Sequence, residues 1–341
     1  MKKIQLALVI MLSLVLLISC AQTSNCEKQS FFAMDTMVEL RLYSKVDNAA
    51  EVFADGKAVV AQIENAISVT KEEGDTFRLN AAEGVIDDSA EHLIRLIEIS
   101  EEISRATGGS FDIRTGAMIL LWKQCEGEGR LPTEEELSAV VALTKGDISV
   151  DGTRVSKSDA DMKLDFGAIG KGYAADILVE WLRAAGVTCG MISFVSTVTV
   201  FGERSAGDFR IAIRRPDTSG ELAGYVTLHD ASLSVSGNYE RYYEIDGVKY
   251  DHILDPETGY PAAEGMESVV VIAESGAYAD ALSTAITVMG TKETLALYKS
   301  GQLTFEAALF VGDEILVTDG FCENFELADN GYSVVLLSDR Y

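Results

Sequence analysis

The chain has 341 residues, with 28 lysines and arginines against 54 aspartates and glutamates, for a formal net charge of −26. This length allows one large domain or two at roughly 100–200 residues each, and 48% apolar with 24% charged residues is an ordinary globular composition. So large an acidic excess argues against nucleic acid as a partner and against adsorption of the protein surface to anionic lipid.

The first element is an export signal. Lys2 and Lys3 precede an apolar run from Ile4 to Ile18, the n-region and h-region of such a signal. It ends Leu17-Ile18-Ser19-Cys20-Ala21, which resembles a bacterial lipobox with Cys20 as the lipidated residue. An uncleaved anchor helix is the alternative, since the run approaches bilayer-spanning length. Either reading puts the rest of the chain outside the cytoplasm, on the extracytoplasmic face of the membrane. The expected division is a signal over residues 1–20, a polar tether over 21–30 and one domain over 31–341. Cys125, Cys189 and Cys322 are far apart and form no C-x-x-C pair, so neither a zinc site nor a redox motif is indicated.

Within the domain, Thr36 to Tyr43 alternates as a strand, and Val52, Phe53, Val59, Val60 and Ile63 mark a helix over Ala49 to Ile67. A second helix covers Ala90 to Arg105 and stops at Gly108-Gly109. Pro132-Thr133-Glu134-Glu135-Glu136 reads as the acidic first turn of a short helix. Ala174, Ile177, Leu178, Trp181, Leu182 and Ala185 hold helical spacing up to Gly186. The period then shortens to two, giving strands over Met191 to Phe201, Phe209 to Arg214, Tyr225 to Leu228 and Val269 to Ala273. Tyr239 to Tyr250 is expected to fold back on Asp246-Gly247 as a hairpin. Helices follow over Tyr278 to Met289 and Glu293 to Tyr298, with a strand-like tail. Helices and antiparallel-looking strands in blocks give an α+β fold with largely antiparallel sheets.

Four segments carry polar groups suited to chemistry. Leu164-Asp165-Phe166-Gly167-Ala168-Ile169-Gly170-Lys171-Gly172-Tyr173 runs into a helix, so glycine backbone, a helix N-terminus and Lys171 together form a cradle for a pyrophosphate. Its order is neither G-x-G-x-x-G nor a P-loop. Asp280 and Thr284 stand at i and i+4 on one helix face, a carboxylate and a hydroxyl of the hard-oxygen type that Mg²⁺ takes. Two ligands are too few, so carbonyls, water or phosphate must complete the shell. His252 opens the turn Tyr250-Asp251-His252-Ile253-Leu254-Asp255-Pro256-Glu257-Thr258-Gly259-Tyr260-Pro261, and Arg241 in Ser236-Gly237-Asn238-Tyr239-Glu240-Arg241 suits bidentate phosphate binding. Each also has a purely structural reading: a tight strand-to-helix turn, a polar stripe (Asp280, Ser283, Thr284, Thr287) facing solvent, and a hydrogen-bonding turn histidine.

Taken in order, these segments resemble the ApbE-like family of FAD:protein FMN transferases. The likeness starts with Met34-Asp35-Thr36 and Phe77-Arg78-Leu79-Asn80. It continues through Thr107-Gly108-Gly109-Ser110-Phe111-Asp112 with Leu121-Trp122, and through the Leu164–Tyr173 loop. Val235-Ser236-Gly237-Asn238-Tyr239-Glu240-Arg241, His252-Ile253-Leu254-Asp255-Pro256-Glu257-Thr258-Gly259 and Ala279-Asp280-Ala281-Leu282-Ser283-Thr284-Ala285 complete it. The resemblance implies an ApbE-like, T-fold-related architecture and an enzyme that breaks the pyrophosphate of FAD. FMN would pass to a threonine hydroxyl of a separate exported protein carrying a Ser/Thr-Gly-Ala-Ser/Thr motif, with release of AMP. It further implies Mg²⁺ held by Asp280, Thr284 and the Ala168 carbonyl, with His252 as proton acceptor supported by Asp255. Met34, Asn80, Asp112, Gly167, Lys171, Tyr173, Ser236 and Arg241 would line the cofactor site. FAD pyrophosphatase activity, or FAD binding without turnover, is the alternative outcome for the same residues.

Two features qualify the match. Where the family carries Gly-Gly-Asn or Gly-Gly-Asp after a short apolar strand, this chain reads Phe194-Val195-Ser196-Thr197. Val195 is β-branched, so a positive φ there is costly; the flavin lies differently, binds more weakly, or activity is lost. Thr115-Gly116-Ala117-Met118 and Ser275-Gly276-Ala277-Tyr278 come close to an acceptor motif but lack its final hydroxyl residue, which points to an acceptor on another protein.

Overall fold

A computed structural model describes residues 26–217, 219–237, 242–262 and 265–341. The expected signal segment, Cys20 and Arg241 therefore lie outside the described residues. Among the described residues no helix is long and apolar enough to cross a membrane.

The chain opens with a hairpin, β1 (Glu27–Ala33) and β2 (Thr36–Leu42), turned at Met34 and Asp35, both at positive φ. Because β1 starts at Glu27, the last four residues of the expected tether belong to the sheet instead. Then come α1 (Ala49–Ile67), α2 (Asp75–Ala81), β3 (Val85–Ile86), α3 (Glu91–Ala106), α4 (Gly116–Glu128) and α5 (Glu134–Leu143). The helix expected from its acidic first turn forms as α5, and at its start Thr133 and Glu136 make a reciprocal capping box. β4 (Ile148–Asp151) and β5 (Arg154–Lys157) lead to α6 (Gly170–Ala184). Next are β6 (Gly190–Ser193), β7 (Thr197–Phe201), β8 (Phe209–Arg214), β9 (Leu222–Leu228) and β10 (Ala231–Gly237). The hairpin β11 (Tyr242–Ile245) and β12 (Val248–Asp251) precedes β13 (Ser268–Ala273) and α7 (Gly276–Ser300). β14 (Glu306–Val311), β15 (Glu314–Val317), α8 (Asp319–Asn324), β16 (Phe325–Leu327), β17 (Ser333–Leu336) and α9 (Leu337–Arg340) close the chain.

A nine-stranded sheet ordered β1-β2-β6-β7-β10-β13-β14-β15-β17 organises the molecule, antiparallel throughout except for the β15–β17 pair. Its strands alternate faces, and β13 makes the consequence plain. Val269 and Val271 join the core beneath α6 and α7, with Leu178, Leu182, Leu282 and Ile286. Val270 points the other way, into a second core with Phe209 and Val226 of the small β16-β9-β8 sheet. A third cluster of Met118, Trp122, Tyr243, Ile245 and Leu254 seats the β11–β12 hairpin on α4. The two expected C-terminal helices are halves of α7, joined at Gly290, whose φ of 82° and ψ of 179° break the helix. The four described cysteines are unpaired.

The strand expected over Met191 to Phe201 is instead two strands. β6 and β7 pair with each other across Phe194, Val195 and Ser196. Val195 turns the chain at φ 66° with its side chain 62% exposed, so the sequence-based cost is present in the fold. Surrounding backbone bonds impose it: Phe194 N–H donates to Thr197 O at 2.8 Å, Ser196 N–H to Phe194 O at 2.8 Å and Val235 N–H to Ser196 O at 2.9 Å. A left-handed β-branched residue costs roughly 1–2 kcal/mol, against roughly 0.5–1 kcal/mol of extra chain entropy for glycine. Val195→Gly is therefore expected to raise stability by about 1 kcal/mol. In thermal melts the midpoint should rise by about 1–2 °C; a lower midpoint would mean that the valine side chain contributes contacts outweighing its strain.

Candidate active site

The glycine loop is held from both ends before it reaches α6. Asn80, on α2, clasps the backbone of Leu164, its Nδ2 donating to the carbonyl and its Oδ1 accepting from the N–H, both at 2.8 Å. Asp165 N–H donates to Ile113 O at 2.8 Å, and Gly116 N–H to Lys163 O at 3.1 Å. Inside the loop, Asp165 Oδ1 accepts from Gly167 N–H at 2.7 Å. Lys171 then folds back, donating from Nζ to Gly167 O at 3.1 Å and lying 3.5 Å from Asp280 Oδ2. Ala168 sits between Gly167 and the first turn of α6, partly buried against the core. Met34, whose N–H donates to Glu64 at 3.1 Å, reaches the same turn and crowds the space beside Gly170.

Asp280 is the centre of the site. It is 4% exposed, and Ser283 and Thr287 are buried too, which rules out a stripe facing solvent. Oδ1 accepts from Ser234 Oγ at 2.9 Å and from Thr197 Oγ1 at 3.2 Å; Oδ2 accepts from Gly172 N–H at 3.1 Å. One turn further on, Thr284 Oγ1 lies 3.4 Å from Ser236 Oγ, which is itself 2.7 Å from Ser283 Oγ. The structure thus brings together Gly167, Lys171, Ser236, Asp280 and Thr284 from a loop, two helices and a strand, with Ala168 next to Gly167 in the loop.

The partners of Asp280 were not anticipated from the sequence, although a signal was present. Ser232, Ser234 and Ser236 alternate along β10, and an apolar-core strand has little reason to carry hydroxyls at period two. Ser234 and Ser232 stand opposite Thr197 and Thr199 of β7, with oxygens 3.0 and 2.8 Å apart and fully or nearly buried. They form a hydroxyl row beneath α7.

The expected His252 turn folds as a separate unit. Asp255 N–H donates to Tyr260 O, Gly259 N–H donates to Asp255 O, and Trp122 Nε1–H donates to Gly259 O at 2.8 Å. Trp122 also stacks on Tyr243 with ring centres 5.5 Å apart. The support expected from Asp255 comes instead from Asp251. Asp255 uses one carboxylate oxygen on Glu257 N–H at 2.8 Å and the other on Thr258 Oγ1–H at 3.0 Å. Asp251 Oδ1 lies 3.1 Å from His252 Nδ1 and accepts Ile253 N–H at 3.0 Å. His252 itself is about one-third exposed, at 37% of its side chain.

Three further assignments change role. Asn80 uses its amide on the loop backbone, so it shapes the cradle. Asp112 accepts from Arg114 N–H at 2.8 Å and from its guanidinium at 3.0 Å, within a buried cluster that also includes Glu101. Tyr173 is 1% exposed and its hydroxyl lies 3.0 Å from His92 Nδ1. Burial pushes that phenol up to about 12, and the side chain is part of the core.

The donor set around Asp280 fits a hard cation. Among the described residues no group of three or more His, Cys, Asp or Glu side chains gathers as a metal cluster. One carboxylate flanked by hydroxyls is an oxygen-only donor set, the chemistry a hard cation takes rather than a soft transition metal.

Comparison with known proteins bears on the family and the fold. A family model described as the ApbE family matches residues 34–309. The FAD:protein FMN transferase of Treponema pallidum (strain Nichols) is 31% identical over 321 residues, spanning 86% of this chain and 87% of its own. That of Vibrio cholerae is 26% identical, spanning 87% and 91%. The apo flavinyl transferase ApbE of Pseudomonas stutzeri superposes with a TM-score of 0.77 at 28% identity, covering 89% of this chain and 98% of that one. The ApbE protein of Thermotoga maritima does so at 0.74 and 26%, covering 89% and 97%. With the family model matched over residues 34–309 and this likeness along most of its length, the chain belongs to the ApbE family.

Proposed function

We propose that this chain transfers FMN from FAD to a threonine hydroxyl of a separate exported protein, with Mg²⁺ and with release of AMP. It is an enzyme of the FAD:protein FMN transferase class. The observation that carries the finer reading is the junction where Lys171, the N-terminal turn of α6 and Asp280 converge on one glycine loop. In the reaction the threonine oxygen forms a bond to the FMN phosphorus. The anhydride bond to the bridging oxygen breaks, AMP leaves with that electron pair, and the threonine proton passes to a base.

Positioning and charge neutralisation dominate such transfers. Asp280, Thr284 and the Ala168 carbonyl would hold Mg²⁺, which when bound offsets charge on the diphosphate. Lys171 and the α6 N-terminus add positive potential beside it, which a chain of net charge −26 does not otherwise supply. Ser236, with Ser283 and Thr284, presents hydroxyls along the same wall. His252, oriented by Asp251, is the proton acceptor. His252→Ala should lower the transfer rate by about a hundredfold or more while FAD affinity changes little. An unchanged rate would remove His252 from the chemistry.

A separate acceptor suits the fold. Thr115 Oγ1 donates to Asp112 O at 3.0 Å and Ser275 Oγ to Asp176 at 2.7 Å, so the hydroxyls of the two near-acceptor sequences are engaged internally. The export signal and Cys20 would place the enzyme, lipid-anchored, on the extracytoplasmic face of the membrane, where such an acceptor resides. Purified protein incubated with FAD and Mg²⁺, with and without an acceptor-motif domain, tests the proposal. A flavin mass adduct with stoichiometric AMP supports transfer; AMP without adduct means hydrolysis, and FAD bound unchanged means a carrier.

A further inference from the structure

A carboxylate outside the expected site ties α7 to α6. Asp176, two turns into α6, accepts Gly276 N–H on Oδ1 at 2.6 Å, and Ala277 N–H at 3.0 Å and Ser275 Oγ–H at 2.7 Å on Oδ2. These are the N-cap and first-turn groups of α7, which lack intrahelical partners. Asp280, one turn along α7, returns the contact by accepting Gly172 N–H in the first turn of α6. Each helix therefore caps the start of the other with a carboxylate. Between the two caps the backbones touch: a Cβ on Gly172 would lie 1.9 Å from Gly276 O, and one on Gly276 would lie 2.5 Å from Gly172 O.

Asp176 is kept in place against a penalty. Burial pushes its carboxyl above the ordinary range, opposed by the bonds from Ala277, Ser275 and Gly276. Its Oδ atoms bond α7 rather than the glycine loop, so its effect on substrate runs through the helix it holds.

We infer that Asp176 is a positioning residue, which sets Asp280 against Gly172 and Lys171 by fixing the N-terminus of α7 in register with α6. This inference rests on the reading of Asp280 as a cation ligand, and its test separates the two. Wild type, Asp176→Asn, Ser275→Ala and Asp280→Ala are compared by backbone amide exchange without ligands, by Mn²⁺ binding in the presence of FAD, and by thermal melting. Asn keeps one acceptor oxygen and the side-chain volume; Ser275→Ala removes one bond while leaving the carboxylate, so at least one variant should fold.

In Asp176→Asn, exchange should quicken at Gly276 and Ala277 and also at Gly172 across the junction. The Mn²⁺ dissociation constant should rise about tenfold, with a smaller rise in Ser275→Ala, while metal-free FAD affinity stays within about twofold. A merely local cap predicts a lower melting temperature with Gly172 exchange and Mn²⁺ affinity unchanged, and that result overturns the inference. Faster Gly172 exchange with unchanged Mn²⁺ affinity, where Asp280→Ala does lose Mn²⁺, also overturns it. If Asp280→Ala binds Mn²⁺ like wild type, the cation reading fails, and Gly172 exchange in Asp176→Asn alone decides whether Asp176 sets the junction.

Discussion

Replacing Asp280 by asparagine should abolish the Mg²⁺-stimulated part of FMN transfer, a loss of at least about a hundredfold at saturating FAD. Asparagine is the informative substitution because the carboxylate has two duties. As an acceptor it satisfies Ser234, Thr197 and Gly172 N–H, and removing every acceptor oxygen there costs about 1–3 kcal/mol per stranded donor. As a charge it faces Lys171 at 3.5 Å. Asp280→Ala loses both duties, so its inactivity would be ambiguous; Asp280→Asn keeps an oxygen for the hydroxyls and removes the charge. The measurement is initial rate against Mg²⁺ concentration, with AMP and flavin adduct as products and a melt to confirm folding. A folded Asp280→Asn enzyme with the wild-type response to Mg²⁺ would sink the assignment.

The surroundings of Asp280 explain why a single carboxylate serves there. The N-terminus of α6 starts within one turn of it and contributes partial positive charge, whereas that of α7 is already capped by Asp176. Lys171 contributes a full charge at 3.5 Å. A second acid beside Asp280 would add buried negative charge at a further desolvation cost, whereas hydroxyls from β10 and α7 supply oxygen donors without charge. The hydroxyl row of Ser232, Ser234 and Ser236 follows from that requirement. The sheet face under α7 must be polar enough to hold a buried carboxylate, yet must not compete with it for charge.

Helices with a strong apolar period were legible from sequence: α1 spans the predicted residues, and α6 and α7 carry theirs. β8 matches residue for residue, and Asp246-Gly247 turns the predicted hairpin. α2 and α4 were missed. The first is seven residues long, and the second runs apolar on consecutive residues from Ala117 to Trp122 and mostly polar after it, with Leu120 exposed and Trp122 buried, so neither shows a clean stripe. The β6–β7 turn was missed because Val195 has none of the residue chemistry that announces a turn. For the candidate site, residue type and spacing singled out Lys171, Asp280 and Thr284, since the i and i+4 relation is local, and the fold sets Lys171 3.5 Å from Asp280. Roles that depend on tertiary pairing were not legible. Asn80 clasps a backbone 84 residues away, Asp176 caps a helix about 100 residues away, and no local pattern distinguishes these from surface amides and acids. The swap of Asp251 for Asp255 beside His252 has the same origin. Both acids flank the histidine in sequence, and only the Pro256–Gly259 turn decides which one is used internally.

Gly172→Ala should destabilise the protein by more than about 3 kcal/mol and abolish turnover. Inside a helix this exchange ordinarily helps by about 0.5–1 kcal/mol, because alanine gives up less chain entropy, so a loss reverses the usual sign. The cause is contact with backbone rather than with a side chain that can rotate away. The new Cβ would lie 1.9 Å from Gly276 O, 2.3 Å from Gly276 C and 2.8 Å from Ala277 N. Relief requires α6 and α7 to part, and parting them separates Gly172 N–H from Asp280 and Gly276 N–H from Asp176. Stability and the site therefore fail together. Gly127→Ala in α4 is the matched control: its Cβ would meet nothing within 4 Å, so it should leave activity intact and stability equal or slightly higher. Urea unfolding of both variants, read beside FMN transfer, distinguishes the cases. A Gly172→Ala protein as stable and active as the Gly127→Ala control would mean that the two helices do not meet backbone to backbone, and the placement of Asp280 would lose its physical basis.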